Sequence, residues 1–563
     1  MTPLPHMVLV LLVLLVLVPG VPGALAQAQQ PVPMRVALVP LDDRPVCLQY
    51  PELMAPLAHA TIVAPPRPTL GRFTTPGETA AIGHWLTSLD LSTIDALIVS
   101  VDMLAYGGLV ASRVHDVGAD AALVRLGVLR DIRRRRPDLP IYGFSVIMRL
   151  APTADGANEA WREKLSRWAD VSPYTSTDPA IAVEVDALER DIPAPALAEY
   201  KAARARNLRV NHASLDLLVD GVFTHLVLSQ DDAKPRGVHV ADRESLTRTM
   251  AERDLGTRAG LQPGADEVAM LLLARAALAH HGIRPSMRAL YSTEAARTMV
   301  APFEDRALHE TVSFHIETAG AVEAAASGAA DLLFYVFASR HDPAVPQSFA
   351  RDVHAAIEAG RRVIVADVDP KGDVQGASVA FTEALLASDV PPRLYGYASW
   401  NTAGNTIGTA IPHGLLHHVG VVLASRCRSE AWQTVVEAQA RFLLHRLVND
   451  YAWQGVVRQQ VNAALRAEGR SSLWLREHAG EVEADIGARL AAPVKRLAAE
   501  FIERPLLLGA IGQASIELRL MKAGVSSLSL PWARTFEALL EIDLEAEVLD
   551  LQPGRPACQA AAR

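Results

Sequence analysis

The sequence predicts an α/β protein made of two parallel-sheet lobes of the Rossmann or flavodoxin type, followed by a helical C-terminal region. Between residues 34 and 413, short runs rich in Val, Leu and Ile alternate with amphipathic helical stretches, which is the pattern of βα units around a parallel sheet. Ten such runs exceed the eight strands of a βα barrel, and the last five recur every 20 to 30 residues, as in a doubly wound sheet. A single (β/α)8 barrel with insertions is the alternative architecture.

Proline and the spacing of apolar residues divide the chain further. Pro152 ends the fourth strand, because proline cannot donate to a central strand ladder, and a helical insertion is predicted over 152–211. Apolar residues at three- and four-residue spacing predict helices beyond residue 430, and 526–549 is a candidate for one or two strands. The predicted regions are an N-terminal lobe (34–260), a second lobe (261–413) and a helical C-terminal region (430–550). The predicted strands are 35–39, 60–64, 96–101, 141–148, 225–229, 288–291, 313–316, 332–337, 363–368 and 394–398.

Residues 1–26 are predicted to be a cleavable secretion signal. The apolar run 8–18 is too short to cross a bilayer, which needs about 20 residues, but it has the length of a signal-peptide core. Small residues at Ala24 and Ala26 follow a Pro- and Gly-rich break, so cleavage is expected after Ala26. An uncleaved anchor helix is the alternative. The mature protein is accordingly expected in the periplasm or the medium, with no further membrane span.

Composition excludes some classes of partner and scaffold. The net charge of −9 and the pI of about 6.1 argue against a nucleic-acid partner, which requires clustered Lys and Arg. The three cysteines, Cys47, Cys427 and Cys558, lack metal-ligand spacing and are odd in number, so they predict no disulfide framework. Cys558 lies in a tail, 551–563, that is expected to be disordered. No cofactor is predicted.

Charged residues follow the first strand directly. Ligands of α/β sheets and βα barrels bind beyond the carboxyl ends of the parallel strands. Asp42, Asp43 and Arg44 occupy this position, in a turn restricted by Pro45, and are therefore candidate ligand-binding residues. The alternative is local: Asp43 caps the next helix and Arg44 pairs with a neighbour.

Two further strand ends carry single charges. Asp102 interrupts an apolar run at the end of the third strand, where an unpaired carboxylate would be costly to bury. Arg149 ends the fourth strand at the same predicted sheet edge. Both are candidate substrate-binding residues, and a buried ion pair between them is the structural alternative.

The fifth strand ends in two adjacent carboxylates, Asp231 and Asp232. Two carboxylates in a dry pocket cannot both ionise freely, so one is expected to retain a proton and to serve as a general acid. Glycoside hydrolysis uses such a division of labour. Two alternatives stay open: a divalent-metal site formed with Asp42 or Asp43, and a turn or cap without chemistry.

The loop 399–409 is dense in hydroxyl and amide side chains around Trp400. At the start of a helix such a loop offers donors to an anion or to sugar hydroxyls, while the indole offers an apolar surface. Capping of the helix explains one or two of these residues only. The candidate substrate-binding residues of the loop are Trp400, Asn401, Thr402 and Asn405.

Motifs of common hydrolases are missing from the sequence. There is no Gly-x-Ser-x-Gly elbow and no His-Glu-x-x-His zinc helix. His225 and His315 fall inside predicted strands, where a buried core histidine is the usual case.

The motifs at 41–45, 100–113, 229–233 and 399–409, in this order, resemble a bacterial family of uncharacterised proteins, domain of unknown function 4127. This resemblance spans most of the mature chain and implies no established activity. The Asp-Asp pair with a later Trp-Asn loop is also locally similar to barrel-type N-acetylhexosaminidases. That likeness implies a glycosidase that acts on an amino sugar.

The residues together favour an exported carbohydrate hydrolase. Asp232 is the expected general acid and Asp231 the carboxylate that orients the substrate. The alternatives are a non-catalytic extracytoplasmic binding protein for a small polar ligand and a metal-dependent hydrolase. The expected substrate-binding residues are Asp42, Asp43, Arg44, Asp102, Arg149, Trp400, Asn401, Thr402 and Asn405.

Overall fold

The computed structural model describes residues 33–426, 430–502, 506–511 and 514–550. The signal peptide expected over 1–26 and the tail expected over 551–563 lie outside these residues, as do Cys427 and Cys558. Cys47 is a buried free thiol.

The first sheet has six parallel strands in the order β2-β1-β3-β4-β5-β6. The first five strands of this order follow the flavodoxin-type arrangement, in which the strand order reverses beside β1. The sheet is covered by helices on both faces, so its central strands are continuous apolar runs. The strands are β1 (Met34–Val39), β2 (Ala60–Val63), β3 (Ala96–Ser100), β4 (Ile141–Ile147), β5 (His225–Gln230) and β6 (Ala259–Pro263).

The second sheet has five parallel strands in the order β11-β10-β9-β7-β8, which is again a flavodoxin-type order. The two open sheets establish a doubly wound α/β fold and exclude the single barrel, whose strands would close into one ring. The strands are β7 (Ser286–Tyr291), β8 (Val322–Glu323), β9 (Leu332–Phe337), β10 (Val363–Asp367) and β11 (Gly396–Ala398).

The C-terminal region combines helices with a third sheet. An antiparallel sheet of three strands, in the order β12-β13-β14, packs against the last helix and against the helices that follow β11. Its strands are β12 (Leu506–Ile511), β13 (Ala514–Ser529) and β14 (Leu539–Asp550). The sequence pattern places one or two strands at 526–549, so the sheet is larger than expected.

Eighteen α-helices are described, and a π-helical segment, Leu447–Val457, joins two of them. The α-helices are α1 (Gln49–Met54), α2 (Thr79–Ser88), α3 (Val101–Tyr106), α4 (Ala119–Arg125), α5 (Gly127–Arg135), α6 (Arg162–Val171), α7 (Pro179–Asp191), α8 (Ala194–Val219), α9 (His239–Glu252), α10 (Val268–His281), α11 (Glu294–Thr298), α12 (Leu308–Thr318), α13 (Val345–Glu358), α14 (Val379–Leu386), α15 (Ala403–Arg426), α16 (Glu430–Arg446), α17 (Arg458–Ala467) and α18 (Ala479–Ile502). Short 3₁₀ turns lie at Ala55–Ala58, Arg67–Thr69, Leu91–Thr93, Ala111–Arg113, Ser172–Tyr174, Ser327–Ala329, Pro391–Arg393 and Arg476–His478.

Two apolar helices, α10 and α15, form the layer between the parallel sheets. Helix α10 contacts β1, β3 and β4 of the first sheet, while α15 contacts β10 and β11 of the second, and the two helices pack on each other. A helix that is apolar all round is stable only when it is buried on all sides. The apolar core between the sheets is therefore continuous from one sheet to the other.

Among the described residues, one helix, Ala403–Ser425, has the length and apolar composition needed to cross a membrane. Its apolar window is 83% buried inside the protein, in the layer between the two sheets. Its apolar surface is therefore used for packing in the core.

The strand predicted at 313–316 is wrong, because these residues belong to helix α12. Leu308, Val312 and Ile316 recur every four residues and form one buried helix face. The apparent alternation around His315 is a by-product of this spacing, and His315 lies in the helix, not in a strand.

Strand β6 has no counterpart among the predicted strands. Its sequence, Ala-Gly-Leu-Gln-Pro, contains residues that disfavour strands. Among the described strands it pairs only with β5, at the edge of the sheet, where Pro263 is tolerated because the outer side of an edge strand needs no donor.

The close approach of α15 to β11 depends on glycine. A Cβ at Gly396 would lie 2.8 Å from the carbonyl oxygen of Ala410 and 2.8 Å from the backbone nitrogen of Gly414. We expect Gly396→Ala to lower the free energy of unfolding by about 1–3 kcal/mol, because the helix must move away from the sheet. Chemical denaturation measures this change. A Cβ at Gly487, inside α18, meets no atom within 4 Å, so Gly487→Ala should instead raise stability by about 0.5–1 kcal/mol. Equal effects of the two substitutions would contradict the packing argument.

Candidate functional site

A polar cavity of about 240 Å³ lies where the carboxyl ends of the two parallel sheets meet the C-terminal region. Arg44 follows β1, Arg149 follows β4 and Asp266 follows β6. From the second sheet, Gln375 follows β10 and Asn401 follows β11. The lining residues are Arg44, Leu109, Val110, Arg113, Arg149, Thr153, Ala154, Arg162, Asp231, Asp232, Asp266, Phe303, Gln375, Asn401, Leu473, Trp532, Arg534 and Phe536.

Arg44 is the most highly connected group of the cavity. Its Nη2 donates to Asp42 Oδ2 and to Asp266 Oδ1, both at 2.7 Å, and its Nη1 donates to Asp266 Oδ2 at 3.0 Å. The guanidinium also lies 4.9 Å from the ring centre of Trp532. Burial of a guanidinium is offset only when several partners surround it. Here the carboxylates of Asp42 and Asp266, that of Glu537 at 3.9 Å and an aromatic face do so.

Asp231 and Asp232 bind different arginines. Arg113 Nη2 donates to Asp231 Oδ2 at 2.6 Å, and Arg149 Nη1 donates to Asp232 Oδ2 at 2.7 Å. Arg113 also donates from Nη1 to the Thr153 hydroxyl at 2.7 Å. Among the described residues neither carboxylate bonds to the other, so the pair consists of two separate salt bridges. The Asp232 side chain is 30% exposed and Asp231 is 9% exposed, so Asp232 is the more accessible.

Asp266 is a cavity carboxylate with a raised pKa. Burial raises its pKa to about 6, against the opposing effect of Arg44, and the nearby carboxylates of Asp42 and Asp231 raise it further. A carboxylic acid with a pKa near 6 can donate a proton in mildly acidic solution. Asp266 follows β6, a strand that the sequence pattern does not predict. The only local sequence feature that could have identified Asp266 is its position just after Pro263 and Gly264.

The C-terminal region supplies the aromatic side of the cavity. The Trp532 indole N–H donates to Asp43 Oδ1 at 2.7 Å, and this bond joins the loop after β1 to the loop before β14. The Arg534 guanidinium lies 4.6 Å from the Trp532 ring centre and 5.3 Å from that of Phe536. The only local sequence feature that could have identified these residues is the two-residue spacing of Trp532, Arg534 and Phe536. They do not follow a parallel strand, so a search of strand ends does not find them.

Backbone contacts hold the loops of the second sheet in place. Asp369 accepts from the backbone N–H groups of Lys371, Val374 and Gln375 at 2.8–3.0 Å, which fixes the loop that carries Gln375. The Asn401 N–H donates to the Gln375 carbonyl at 2.9 Å, so the two loops support each other.

The π-helical segment forms hydrogen bonds with two of the chain segments near the cavity. Gln454 Nε2 donates to the carbonyl of Phe536 at 2.8 Å, and the Asp450 carbonyl accepts from the Ala377 N–H at 2.9 Å. π-helical geometry is rare and frequently accompanies functional sites.

Backbone strain concentrates in the cavity. Nine described residues other than glycine have a positive φ, and four of them line the cavity. They are Asp232 (41°), Phe303 (66°), Gln375 (57°) and Asn401 (54°). Such conformations cost free energy and persist at sites where function requires them.

A family model described as protein of unknown function (DUF4127) matches residues 36–541. The chain belongs to this family. The match includes every cavity-lining residue and both parallel sheets, except the first two residues of β1. Searches of the curated proteins and of the solved structures found no match. The local likeness to N-acetylhexosaminidases thus has no support from the comparisons, and two open sheets do not form the barrel that it implies.

Besides Asp231, four of the sequence-derived candidates line the cavity, and the other six do not. Trp400 is buried in the core: its indole N–H donates to the Thr409 hydroxyl at 3.0 Å. Asn405 bonds to the side chains of Asn401, Thr402 and Glu267, so it supports Asn401 from behind the cavity. The four candidates in the cavity are Arg44, Arg149, Asp232 and Asn401. Those that do not line it are Asp42, Asp43, Asp102, Trp400, Thr402 and Asn405.

The ion pair between Asp102 and Arg149 does not form. Asp102 lies in the first turn of α3, is 1% exposed, and accepts the backbone N–H of Val146 at 2.8 Å, while Arg149 pairs with Asp232. Burial raises the pKa of Asp102 to about 7, and the hydrogen bonds from the backbone N–H groups of Val146 and of Asp102 itself oppose this shift only in part.

Within the part of the chain that the structure describes, no group of three or more His, Cys, Asp or Glu side chains is arranged to hold a metal ion. The cavity aspartates are engaged by arginines, which compete with a metal for the same oxygens.

The buried Asp102 predicts a pH-dependent stability difference. Its pKa of about 7 in the folded protein exceeds the ordinary 3.8, so the folded state binds the proton more tightly and loses stability as pH rises through this interval. Asp102→Asn keeps an acceptor for Val146 but does not titrate. We expect it to gain stability relative to the wild type between pH 5 and 7, by about 1.4 kcal/mol per pH unit at most. Urea unfolding at several pH values measures this difference.

A matched control is Asp90→Asn. The pKa of Asp90 is lowered by its hydrogen bonds with Ser92, so its ionisation is complete below this interval. Its stability difference from the wild type should therefore stay constant between pH 5 and 7. A constant difference for Asp102→Asn as well would contradict the prediction.

Proposed function

We propose that the cavity is the active site of a hydrolase that cleaves a glycosidic bond in a small, polar carbohydrate. The observation that carries this proposal is the placement of Asp266, with a pKa of about 6, in one cavity with the carboxylates of Asp231 and Asp232. Carboxyl groups held in different environments take the acid and the base roles of glycoside hydrolysis.

The lining supports a carbohydrate ligand. Phe303, Trp532 and Phe536 offer aromatic surface, while Asn401 and Gln375 offer planar amide groups that donate and accept hydrogen bonds. Pockets for drug-sized ligands measure about 300–1,000 Å³, so a cavity of about 240 Å³ suits a smaller ligand.

Each carboxylate has a distinct role in the proposal. Asp266 donates its proton to the oxygen of the leaving group. Asp232, the most accessible of the three, acts on the sugar from the other side as a nucleophile or as a base for water. Asp231 stays fixed by Arg113 and orients the substrate. Asp266 thereby takes the acid role that the sequence pattern assigns to Asp232.

Binding without turnover is the second candidate function. The observation that favours it is that Arg113 and Arg149 each bind one oxygen of Asp231 and Asp232. These salt bridges hold charged groups in place for a polar ligand and leave neither carboxylate without a partner. Turnover separates the two candidates.

The proposed site of action is outside the cytoplasm. The support is sequence-based: the apolar run 8–18 and the small residues Ala24 and Ala26.

Substitution of the proposed acid tests catalysis. In a screen of p-nitrophenyl glycosides, we expect Asp266→Asn to lower kcat by at least about 100-fold, because general acid catalysis contributes about 10²–10⁴-fold. The loss should be smaller for 2,4-dinitrophenyl glycosides, whose leaving group needs little protonation. Since Asp266 acts only while protonated, wild-type kcat should fall as pH rises through about 6.

The control for this experiment is Asp220→Asn, which changes an exposed aspartate on the surface. It should leave kcat unaltered. An unchanged kcat for Asp266→Asn, or equal losses with both leaving groups, would remove Asp266 from the acid role.

Export is tested by the mass of the mature protein. When the full chain is expressed in a bacterial host, the form recovered outside the cytoplasm should begin at Gln27, because cleavage is expected after Ala26. Ala24→Asp combined with Ala26→Asp should block processing. Recovery of an intact N terminus from wild-type protein would contradict the expected cleavage.

A further inference from the structure

We infer that the carbohydrate carries an anionic group, a carboxylate or a phosphate, and that Arg113 and Arg149 bind it. This inference rests on the proposed function in taking the cavity as the carbohydrate site. It adds the chemical class of the ligand and two residues that determine specificity.

Arg113 holds donor capacity that the protein itself does not use. Its side chain is 7% exposed, and its hydrogen bonds run from Nη1 to Thr153 and from Nη2 to Asp231. Its buried Nε–H has no hydrogen-bond partner among the described residues. A buried donor without a partner costs about 1–3 kcal/mol, so the fold tolerates a defect at this position.

Arg149 brings a second guanidinium to the same cavity. It donates from Nη1 to Asp232 and from Nε to the Ala151 carbonyl at 2.8 Å. Burial is the main cause that lowers the pKa of Arg113, and the positive charge of Arg149 lowers it further. The two guanidinium groups therefore lie close enough to repel each other, and the carboxylates of Asp231 and Asp232 act against this repulsion by raising the pKa of both arginines.

The cavity lining is rich in guanidinium groups. Five arginines and three aspartates line it. Each arginine has a carboxylate partner: Arg44 pairs with Asp42 and Asp266, Arg162 with Glu163, Arg534 with Glu537, Arg113 with Asp231 and Arg149 with Asp232. The attraction for an anion therefore comes from guanidinium N–H groups that these pairs leave without a partner, as on Arg113.

Guanidinium groups suit this task because their planar donors match the oxygens of a carboxylate or a phosphate. Thr153 and Asn401 also line the cavity and supply neutral polar groups for the rest of the sugar. A ligand that combines hydroxyl groups with one anionic group therefore satisfies both parts of the lining.

The test measures binding in matched sets of sugars with the full-length mature protein. Isothermal titration uses glucose, glucuronate and glucose 6-phosphate, and then galactose, galacturonate and galactose 6-phosphate. At least one charged sugar should bind about tenfold or more tightly than its neutral counterpart, as expected for a charge-assisted hydrogen bond. The uronate and phosphate arms show which anion is recognised.

A double variant tests whether Arg113 is responsible for the preference for a charged sugar. Arg113→Gln combined with Asp231→Asn removes both charges of the salt bridge and leaves no unpaired ion in the core, so folding is maintained. It should abolish the preference for the charged sugar. The control is Arg130→Gln with Asp220→Asn, which removes a salt bridge whose side chains are 47% and 46% exposed, and it should retain the preference.

The outcomes separate this inference from the proposed hydrolysis. A preference for a charged sugar that is lost in the Arg113 and Asp231 double variant supports the inference. It does so even if no aryl glycoside is cleaved, because the absence of cleavage counts against hydrolysis and not against anion binding. Cleavage of neutral glycosides with equal binding of neutral and charged sugars supports hydrolysis and overturns the inference. Failure of every charged sugar to bind, or a preference that survives in the double variant, also overturns it.

Discussion

The buried guanidinium of Arg44 is the interaction on which the geometry of the site depends. It joins Asp42, beside β1, to Asp266, beyond the edge strand β6, and it packs on Trp532 of the C-terminal region. Three parts of the chain that are distant in sequence are thereby held around one charge. Removal of such a charge would leave two carboxylates uncompensated in a dry environment, which is among the most costly changes that a core can undergo.

The shared helical layer explains why two separate sheets can build one cavity. Helices α10 and α15 pack on each other between the sheets, and each helix starts close to the cavity, just after a strand end that lines it. Asp266 precedes α10 and Asn401 precedes α15. The packing of these two helices therefore sets the distance between the polar groups of the first sheet and those of the second. Gly396 helps to set this distance, because a side chain at this position would push α15 away from β11.

Sequence patterns predict the fold well where local chemistry determines it. Buried parallel strands are continuous apolar runs, so both sheets can be recognised, and residues just after such strands, such as Arg149, Asp232 and Asn401, do reach the cavity. Long-range packing determines the rest. Trp532 and Asp43 are 489 residues apart in sequence, and no local pattern records their hydrogen bond. Asp266 escapes prediction because its strand contains glycine and proline.

The strained loops also bear on how the site recognises a ligand. Left-handed φ angles at Asp232, Phe303, Gln375 and Asn401 cost about 1–3 kcal/mol each, and the surrounding structure must supply that free energy. The hydrogen bond between Asn401 and Gln375 and the contacts of Asp369 hold two of these loops in the strained form through bonds within the protein. These bonds offset part of the strain. A ligand that meets such a wall loses less of its binding free energy to ordering the protein, so the few polar groups in a small cavity can discriminate strongly between ligands.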